Sequence, residues 1–241
     1  MELKGQVALV TGSTAGIGRE TARLLAAAGA EVVVTGRDAE RGAEVVREIE
    51  DDGGAARFVA ADMADLDDVR RLAEAVGEVD VLVNNAGIFP FAPTAEQSVE
   101  TYERLFDVNV RALFFLTAAL APKMAAKGSG SIVNISTMAT AVGLPGAAVY
   151  SATKAAVESL TRTWAVEFKG VRVNTVSPGP VATETVLATN ADAVEQVAKT
   201  TLLGRAADPK EIAEVVLFLA SPRSSYVTGA NLVADGGHII N

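Results

Sequence analysis

Short runs of β-branched residues alternate with longer Ala-, Leu- and Glu-rich segments along the whole 241-residue chain. The runs, which we interpret as strands, are residues 7–10, 31–35, 57–60, 79–83, 131–135, 171–176 and 231–233. The intervening segments, which we interpret as helices, include residues 18–28, 39–51, 66–76, 99–123, 148–168 and 209–219. Near-continuous apolar strands that alternate with helices are typical of a parallel sheet covered on both faces. The pattern therefore predicts an α/β, doubly wound, Rossmann-type fold.

The chain contains no internal repeat, low-complexity tract or linker rich in Pro and Ser, so we predict a single domain over residues 1–241. The least regular region follows the sixth predicted strand and carries a polar helical segment at residues 189–200. Ligands of open α/β sheets bind outside the carboxyl ends of the strands. We therefore interpret residues 182–205 as a substrate lid, the alternative being a connecting loop without function.

Composition excludes several classes of partner. The 30 acidic residues exceed the 21 basic ones, for a net charge of −9, which argues against nucleic acid or anionic lipid because phosphates require a basic face. With no cysteine and a single histidine, His238, we expect neither disulfides nor a metal site. The start of the chain does not resemble a secretory signal, and the apolar stretch at residues 110–121 is interrupted by Arg111. We expect a cytoplasmic protein with no membrane partner.

A glycine-rich turn joins the first predicted strand to the first predicted helix. Its glycines permit a tight turn, and the free N–H groups of the following helix attract phosphate oxygens. The turn therefore predicts a dinucleotide-binding site. The candidate pyrophosphate-binding residues are Gly12, Ser13, Thr14, Gly16, Ile17 and Gly18.

The end of the second predicted strand indicates which dinucleotide binds. An NAD-preferring enzyme would be expected to place Asp or Glu here against the ribose hydroxyls, but this chain has Gly36 followed by Arg37. A guanidinium can bind a 2′-phosphate, so we expect NADP(H) rather than NAD(H). The alternative is that Arg37 is a solvated charge and Asp38 only caps a helix.

Further candidate cofactor contacts follow the third and fourth predicted strands. Asp62 and Met63 are candidates to flank the adenine ring. Asn85, Ala86 and Gly87 close the fourth strand, where small residues let the chain pass beside the cofactor and Asn side chains also satisfy buried backbone groups.

Tyr150 and Lys154 are four residues apart on a predicted helix, so they share a face. An ammonium group there would favour the phenolate and lower the tyrosine pKa toward that of a working general acid and base. A hydroxyl pair, Ser136 and Thr137, ends the fifth predicted strand, and Asn109 lies on the preceding helix. Together with the glycine turn, these residues predict a catalytic site for oxidation and reduction.

In these motifs the chain resembles the short-chain dehydrogenase/reductase family, in its single-domain subgroup, and is similar to 3-oxoacyl-[acyl-carrier-protein] reductases. The resemblance covers nearly the whole chain and includes Pro178-Gly179 and the terminal Asp235-Gly236-Gly237. It implies a seven-stranded parallel sheet and a homo-oligomer, usually a tetramer.

The resemblance also implies roles for individual residues. Tyr150 would donate or accept the proton, Lys154 would bind the ribose and activate Tyr150, and Asn109 would hold a water of a proton relay. Thr183, and Val181 through its backbone, would bind the nicotinamide carboxamide near Pro178 and Gly179. The family's substrate-binding serine lies thirteen residues before the tyrosine, where this chain has Thr137. We assign that role to Thr137 and keep Ser136 as the alternative.

The predicted function is NADP(H)-dependent hydride transfer between nicotinamide and a small-molecule carbonyl or secondary alcohol, such as a 3-oxoacyl thioester or a small ketone or aldehyde. A carrier-protein substrate would require a basic patch, for which Arg104, Arg111 and Lys199 are candidates. The alternatives are an NAD-dependent alcohol dehydrogenase of the same family and a non-catalytic dinucleotide sensor or scaffold.

Overall fold

Seven parallel strands form one sheet in the computed structural model of the chain, in the order β3-β2-β1-β4-β5-β6-β7. The strands are β1 (Val7–Val10), β2 (Glu31–Gly36), β3 (Ala55–Ala60), β4 (Val81–Asn84), β5 (Gly130–Ile135), β6 (Val171–Pro178) and β7 (Asn231–Ala234). The helices are α1 (Gly16–Ala27), α2 (Ala39–Asp51), α3 (Leu66–Val76), α4 (Val99–Phe106), α5 (Ala112–Lys127), α6 (Ala148–Glu167), α7 (Glu184–Lys199) and α8 (Pro209–Ala220). The predicted doubly wound, seven-stranded fold is confirmed.

The structure describes residues 1–189 and 191–241 in full, and residue 190 only as part of α7. Two apolar clusters cover the two faces of the sheet. One packs α1, α2 and α8 on the sheet around side chains such as Leu25, Ile49 and Ile212. The other packs α3, α5 and α6 around Leu72 and Leu116. Strand order reverses between β1 and β4, which is where open α/β sheets bind ligands.

One long helical segment differs from the sequence prediction. We predicted a helix over residues 99–123, but helical structure continues from Val99 to Lys127 through a π-helical turn at Asp107–Arg111. Pro122 is accommodated inside α5, where proline removes a single backbone hydrogen bond. By length and composition alone this 29-residue segment could cross a membrane, but half of its most apolar window is packed inside the domain.

The segment interpreted as a lid is more helical than predicted. Its helix α7 begins at Glu184, five residues earlier than the predicted segment, because the Thr183 hydroxyl caps it by accepting from Val186 N at 3.3 Å. The lid begins beside the glycine turn: a Cβ placed on Gly16 would lie 3.1 Å from Thr183 Cγ2. The first residues of the lid therefore pack against the predicted dinucleotide site.

Candidate active site

The candidate site residues meet at the carboxyl edge of the sheet, above β1, β4, β5 and β6. The glycine turn follows β1, Asn85–Gly87 follow β4, Thr137 follows β5, and Pro178 ends β6. In a parallel sheet these ends share one edge. The topology therefore brings together residues that are up to about 170 positions apart in sequence.

The glycine turn has no room for side chains. Gly12 adopts φ +63° and Gly16 φ +54°, in the left-handed region that glycine alone enters freely. A Cβ on Gly12 would lie 2.9 Å from Ala86 Cα, and one on Gly18 would collide with the Gly12 carbonyl. The glycines are thus required here by backbone conformation and by close packing of the turn against Ala86 and against its own carbonyl.

The N-terminus of α1 is suited to an anion. Helices α2, α3, α4, α7 and α8 each begin with a side chain that accepts from a backbone N–H. Helix α1 begins after Ala15, has no side-chain cap, and carries no acidic residue in its first turn. Its first N–H groups and positive helix dipole therefore remain available to phosphate oxygens.

Two of the predicted cofactor ligands use their side chains inside the protein. The Ser13 hydroxyl donates to Val10 O at 2.7 Å and accepts from Thr35 N at 3.0 Å. The Asn85 amide donates to Thr11 O at 2.9 Å and to Gly12 O at 3.1 Å. Both side chains stabilise the turn through these hydrogen bonds. At positions 13 and 85, therefore, a cofactor would be contacted by the main chain.

The end of β2 carries an exposed cation, Arg37, and has no space for an acidic side chain at position 36. Arg37 is exposed and has no ion-pair partner among the residues that the structure describes. Asp38 caps α2 by accepting from Glu40 N and Arg41 N. A Cβ on Gly36 would lie 2.7 Å from Thr14 Cγ2, so a carboxylate there would have to displace Thr14.

The residues after β3 lie next to the end of β2, because Ala60 at the end of β3 pairs with Gly36. Asp62 turns back on its own loop, where Oδ1 accepts from Ala64 N at 2.9 Å. Met63 is partly buried against the core cluster of α3, α5 and α6. Neither position shows a contact that distinguishes adenine binding from packing, and the assignment of both stays a prediction.

The Tyr150 phenol lies near the side chain of Thr137, the residue assigned to the substrate oxygen. The rings of Phe89 and Phe91 flank Tyr150 with centroids 6.5 and 5.8 Å from its own. Burial raises the pKa of Tyr150 to about 12, and the nearby Thr137 hydroxyl opposes the rise. The phenol is therefore protonated at neutral pH.

The net shift of the Tyr150 pKa is upward, whereas the sequence prediction was that Lys154 would lower it. The Lys154 ammonium donates to Ile135 O at 2.8 Å, and the residue is only 4% exposed. Burial lowers the pKa of Lys154 to about 8, since no carboxylate compensates the charge. The i, i+4 spacing placed both residues on one face correctly, but their sequence positions did not indicate how deeply each is buried.

Ser136 lies away from Tyr150. Its hydroxyl donates to Glu158 Oε1 at 2.7 Å, and that oxygen also accepts from Thr140 at 2.7 Å and from Ser177 at 3.3 Å. Thr140 is hydrogen-bonded in turn to Thr137 O at 3.0 Å. Glu158 therefore ties the turn that carries Thr137 to helix α6. Sequence reasoning missed Glu158, although its position one helical turn beyond Lys154 was an available signal.

Asn109 lies in the π-helical turn and is 1% exposed. Its Oδ1 accepts from Ile88 N at 2.9 Å, and its Nδ2 donates to Ile88 O at 2.9 Å and to Thr153 at 3.1 Å. A Cβ on Gly87 would lie 3.2 Å from Asn109 Oδ1 and 3.3 Å from Lys154 Nζ, so these three residues meet. Both amide protons of Asn109 are committed to protein acceptors.

The residues that follow β6 form the start of the lid. Gly179 passes so close to Asp235 that a Cβ would lie 2.6 Å from the Asp235 Cα, which explains this glycine by packing. Val181 forms a bridge with Ala207 and is 8% exposed. With Pro178 at the strand end, these residues lead to Thr183 beside Gly16.

Comparisons with known proteins agree with this geometry. The family model described as enoyl-(acyl carrier protein) reductase matches residues 12–238. A cis-4-hydroxycyclohexanecarboxylate dehydrogenase of Sinomonas cyclohexanicum is 42% identical, over 97% of this chain and 96% of that protein. A 3-oxoacyl-[acyl-carrier-protein] reductase of Thermotoga maritima is 38% identical over the full length of both.

Solved structures share the fold over its full extent. One, described as a short chain dehydrogenase/reductase family protein, is 57% identical with a TM-score of 0.95 and full coverage of both chains. A gluconate 5-dehydrogenase from Burkholderia cenocepacia, solved with NADP and tartrate, is 36% identical with a TM-score of 0.93, over 100% of this chain and 97% of that one. The protein described here belongs to the short-chain dehydrogenase/reductase family.

Proposed function

We propose that the protein uses NADP(H) to interconvert a carbonyl compound and a secondary alcohol, with Tyr150 as general acid and base. The observation that carries the proposal is the approach of the Thr137 hydroxyl to the Tyr150 phenol, which pairs a proton donor with a second hydroxyl at the edge of the sheet where the glycine turn opens. The bound cofactor would donate or accept the hydride.

The chain's own groups fit this cofactor. The uncapped N-terminus of α1 and the backbone of the glycine turn would hold the pyrophosphate, and Arg37 the 2′-phosphate. Lys154 would bind the nicotinamide ribose, and Val181 and Thr183 the carboxamide. The Burkholderia gluconate 5-dehydrogenase, which was solved with NADP, supports the choice of NADP(H) for this chain.

In the reductive direction Tyr150 would give its proton to the substrate oxygen. Its pKa of about 12 keeps the phenol protonated at neutral pH, so the donor is in the required state. The Thr137 hydroxyl would stabilise the charge that develops on that oxygen. The Lys154 ammonium, whose pKa is about 8, would then compensate the phenolate. Because both amide protons of Asn109 are committed, we assign its contribution to a proton relay to its main chain.

A cofactor titration distinguishes NADP(H) dependence from NAD(H) dependence and tests whether either dinucleotide binds at all. Fluorescence of bound cofactor is followed as purified protein is titrated with NADPH and, separately, with NADH. NADPH that binds about tenfold tighter or more, about 1.4 kcal/mol, supports the proposal. Tighter NADH would support an NAD-dependent dehydrogenase. Binding of neither would exclude both dehydrogenase assignments, as well as a sensor that uses either cofactor.

Turnover tests the catalytic assignment. Tyr150→Phe removes the proton donor but not the ring packed against Phe89 and Phe91, so it should bind NADPH like the wild type and lose turnover by about 10²–10⁴-fold. Turnover close to that of the wild type would refute the role of Tyr150. Binding of NADPH by a wild-type protein that reduces no carbonyl compound would favour a sensor or scaffold.

We also propose that the protein is a homo-oligomer, with a tetramer as the form that the family resemblance implies. An apolar face of α4, the π-helical turn, α5 and α6 carries Phe114 and Phe115, which are 40% and 45% exposed. The surrounding groove is lined by Phe106, Val110 and Leu160. Burial of this face against a second copy would stabilise an assembly. Light scattering after size exclusion, with Phe115→Glu as the variant that should dissociate it, tests the proposal.

A further inference from the structure

The walls next to Tyr150 are apolar and carry no charge. Residues 85–93, after β4, and residues 136–147, after β5, contain no acidic or basic side chain. The two segments are joined where Ala92 N donates to Gly146 O at 3.0 Å. Phe91 lies next to Tyr150 and is 52% exposed, so its ring is both in contact with the tyrosine and open to solvent.

The lid adds negative charge but no free cation. Residues 182–205 contain three carboxylates and two cations. Lys199 pairs with Glu195 at 2.7 Å, and Arg205 pairs with Glu211 at 2.7 Å. A paired cation offers an anionic substrate little attraction, because its own partner competes for it.

Two further cations, Lys154 and Arg111, are also committed to partners within the protein. The Lys154 ammonium is buried and donates to Ile135 O. Arg111, a candidate for contact with an acidic carrier protein, pairs with Asp107 at 2.7 Å and donates to Ala64 O at 2.9 Å. A substrate carboxylate placed among the apolar walls would lose its hydration without gaining a partner.

We propose that the site takes an uncharged substrate: a ketone, or the corresponding secondary alcohol, with an apolar ring or chain next to the reacting carbon. The proposal rests on the proposed function and narrows it, since it excludes free oxoacids as preferred substrates. In the reaction, hydride from NADPH forms the new C–H bond at the carbonyl carbon. The C–O π electrons pass to oxygen, which takes the Tyr150 proton, and the products are NADP⁺ and the alcohol.

Matched pairs of substrates test the charge preference. Purified protein with saturating NADPH is assayed on methyl 4-oxocyclohexanecarboxylate and its free acid, and on methyl 3-oxobutanoate and its free acid. We expect kcat/KM for each ester to exceed that of its acid by about tenfold or more. Equal or better use of the acids overturns this inference alone. If no member of either pair is reduced, the proposed function fails and the inference fails with it.

A change at Phe91 tests whether the uncharged walls cause the preference for the ester over the acid. Phe91→Lys places a cation beside Tyr150 and should reduce the ester-to-acid ratio by about tenfold. Phe91→Met, which also removes the ring but adds no charge, should leave the ratio near that of the wild type. A ratio that Lys and Met change equally would show that charge at this wall does not select the substrate.

Discussion

The Ser136 hydroxyl donates to the Glu158 carboxylate across 2.7 Å, whereas the side chain of the next residue, Thr137, lies near the Tyr150 phenol. Adjacent residues in extended backbone point in opposite directions, which explains why only one of the two hydroxyls reaches the tyrosine. Ser136 is 3% exposed and its proton is already donated. The geometry favours Thr137 over Ser136 for the substrate oxygen.

Thr137→Val and Ser136→Ala separate these two roles. Valine keeps the shape of Thr137 but removes the hydroxyl, and loss of one donor to a developing oxyanion costs about 10²–10³-fold in kcat. Ser136→Ala removes a structural hydrogen bond, worth about 1 kcal/mol of stability, and should keep most of the turnover. Steady-state kinetics with NADPH measure both. Full activity in Thr137→Val together with loss in Ser136→Ala would reverse the assignment.

Glu158 is expected to act by positioning Thr137. Glu158→Ala removes the acceptor that Ser136 and Thr140 share and that ties the turn to α6, so the turn that carries Thr137 should shift and kcat should fall by about 10–100-fold. Glu158→Gln keeps an acceptor oxygen and should restore most of the loss. KM for NADPH should change little in either variant, because the glycine turn is not involved.

Glu167→Ala, an exposed change at the end of the same helix, serves as the control and should match the wild type in kcat. If Glu158→Ala raised KM for NADPH while kcat stayed constant, the carboxylate would act on cofactor binding and not on Thr137.

The contrast between Tyr150 and Glu158 shows what the sequence could predict. Tyr150 and Lys154 were found because their spacing alone puts them on one helical face. The partners of Glu158 are 18 to 22 residues away, on two strand ends and a turn, and they converge only through the pairing of β5 with β6. No local pattern encodes that convergence.

The strands could be predicted from the sequence more accurately than the pKa values of the site residues, because a pKa depends on how deeply the group is buried in the folded protein. The seven apolar runs located every strand to within two residues, because a strand buried on both faces must be apolar. The pKa of Tyr150 was predicted to fall and instead rises, since desolvation by its surroundings outweighs the opposing effect of the Thr137 hydroxyl. Desolvation depends on residues such as Phe89 and Phe91, which belong to a different loop.

Lys154→Met should stabilise the protein while it abolishes turnover. The buried ammonium has no carboxylate partner, and replacement by an apolar side chain of similar length removes its desolvation cost but leaves Ile135 O without a donor. We expect the free energy of unfolding at neutral pH to rise by about 1–2 kcal/mol. Urea unfolding measures the change, and Lys169→Met, an exposed lysine, should change little.

The same substitution should alter the pH dependence of stability. The folded-state pKa of Lys154, about 8, lies below its ordinary value of 10.5, so between these values the unfolded chain binds more protons. Stability of the wild type should therefore rise with pH across this range relative to Lys154→Met. A difference between the two proteins that is constant with pH would show that Lys154 is not desolvated.

Arg37→Ala should weaken NADPH binding and leave NADH binding nearly unchanged. A guanidinium that binds a phosphate contributes about 1.5–3 kcal/mol, so the affinity for NADPH should fall by about 10–100-fold. Arg41→Ala is the matched control. Arg41 lies on α2 and is exposed like Arg37, but it pairs with Asp38. Gly36→Asp is less informative, since its side chain would displace Thr14 from the glycine turn and disturb both cofactors. Equal weakening of NADPH and NADH by Arg37→Ala would assign Arg37 to a group that the two dinucleotides share, and the preference for NADP(H) would then need another source.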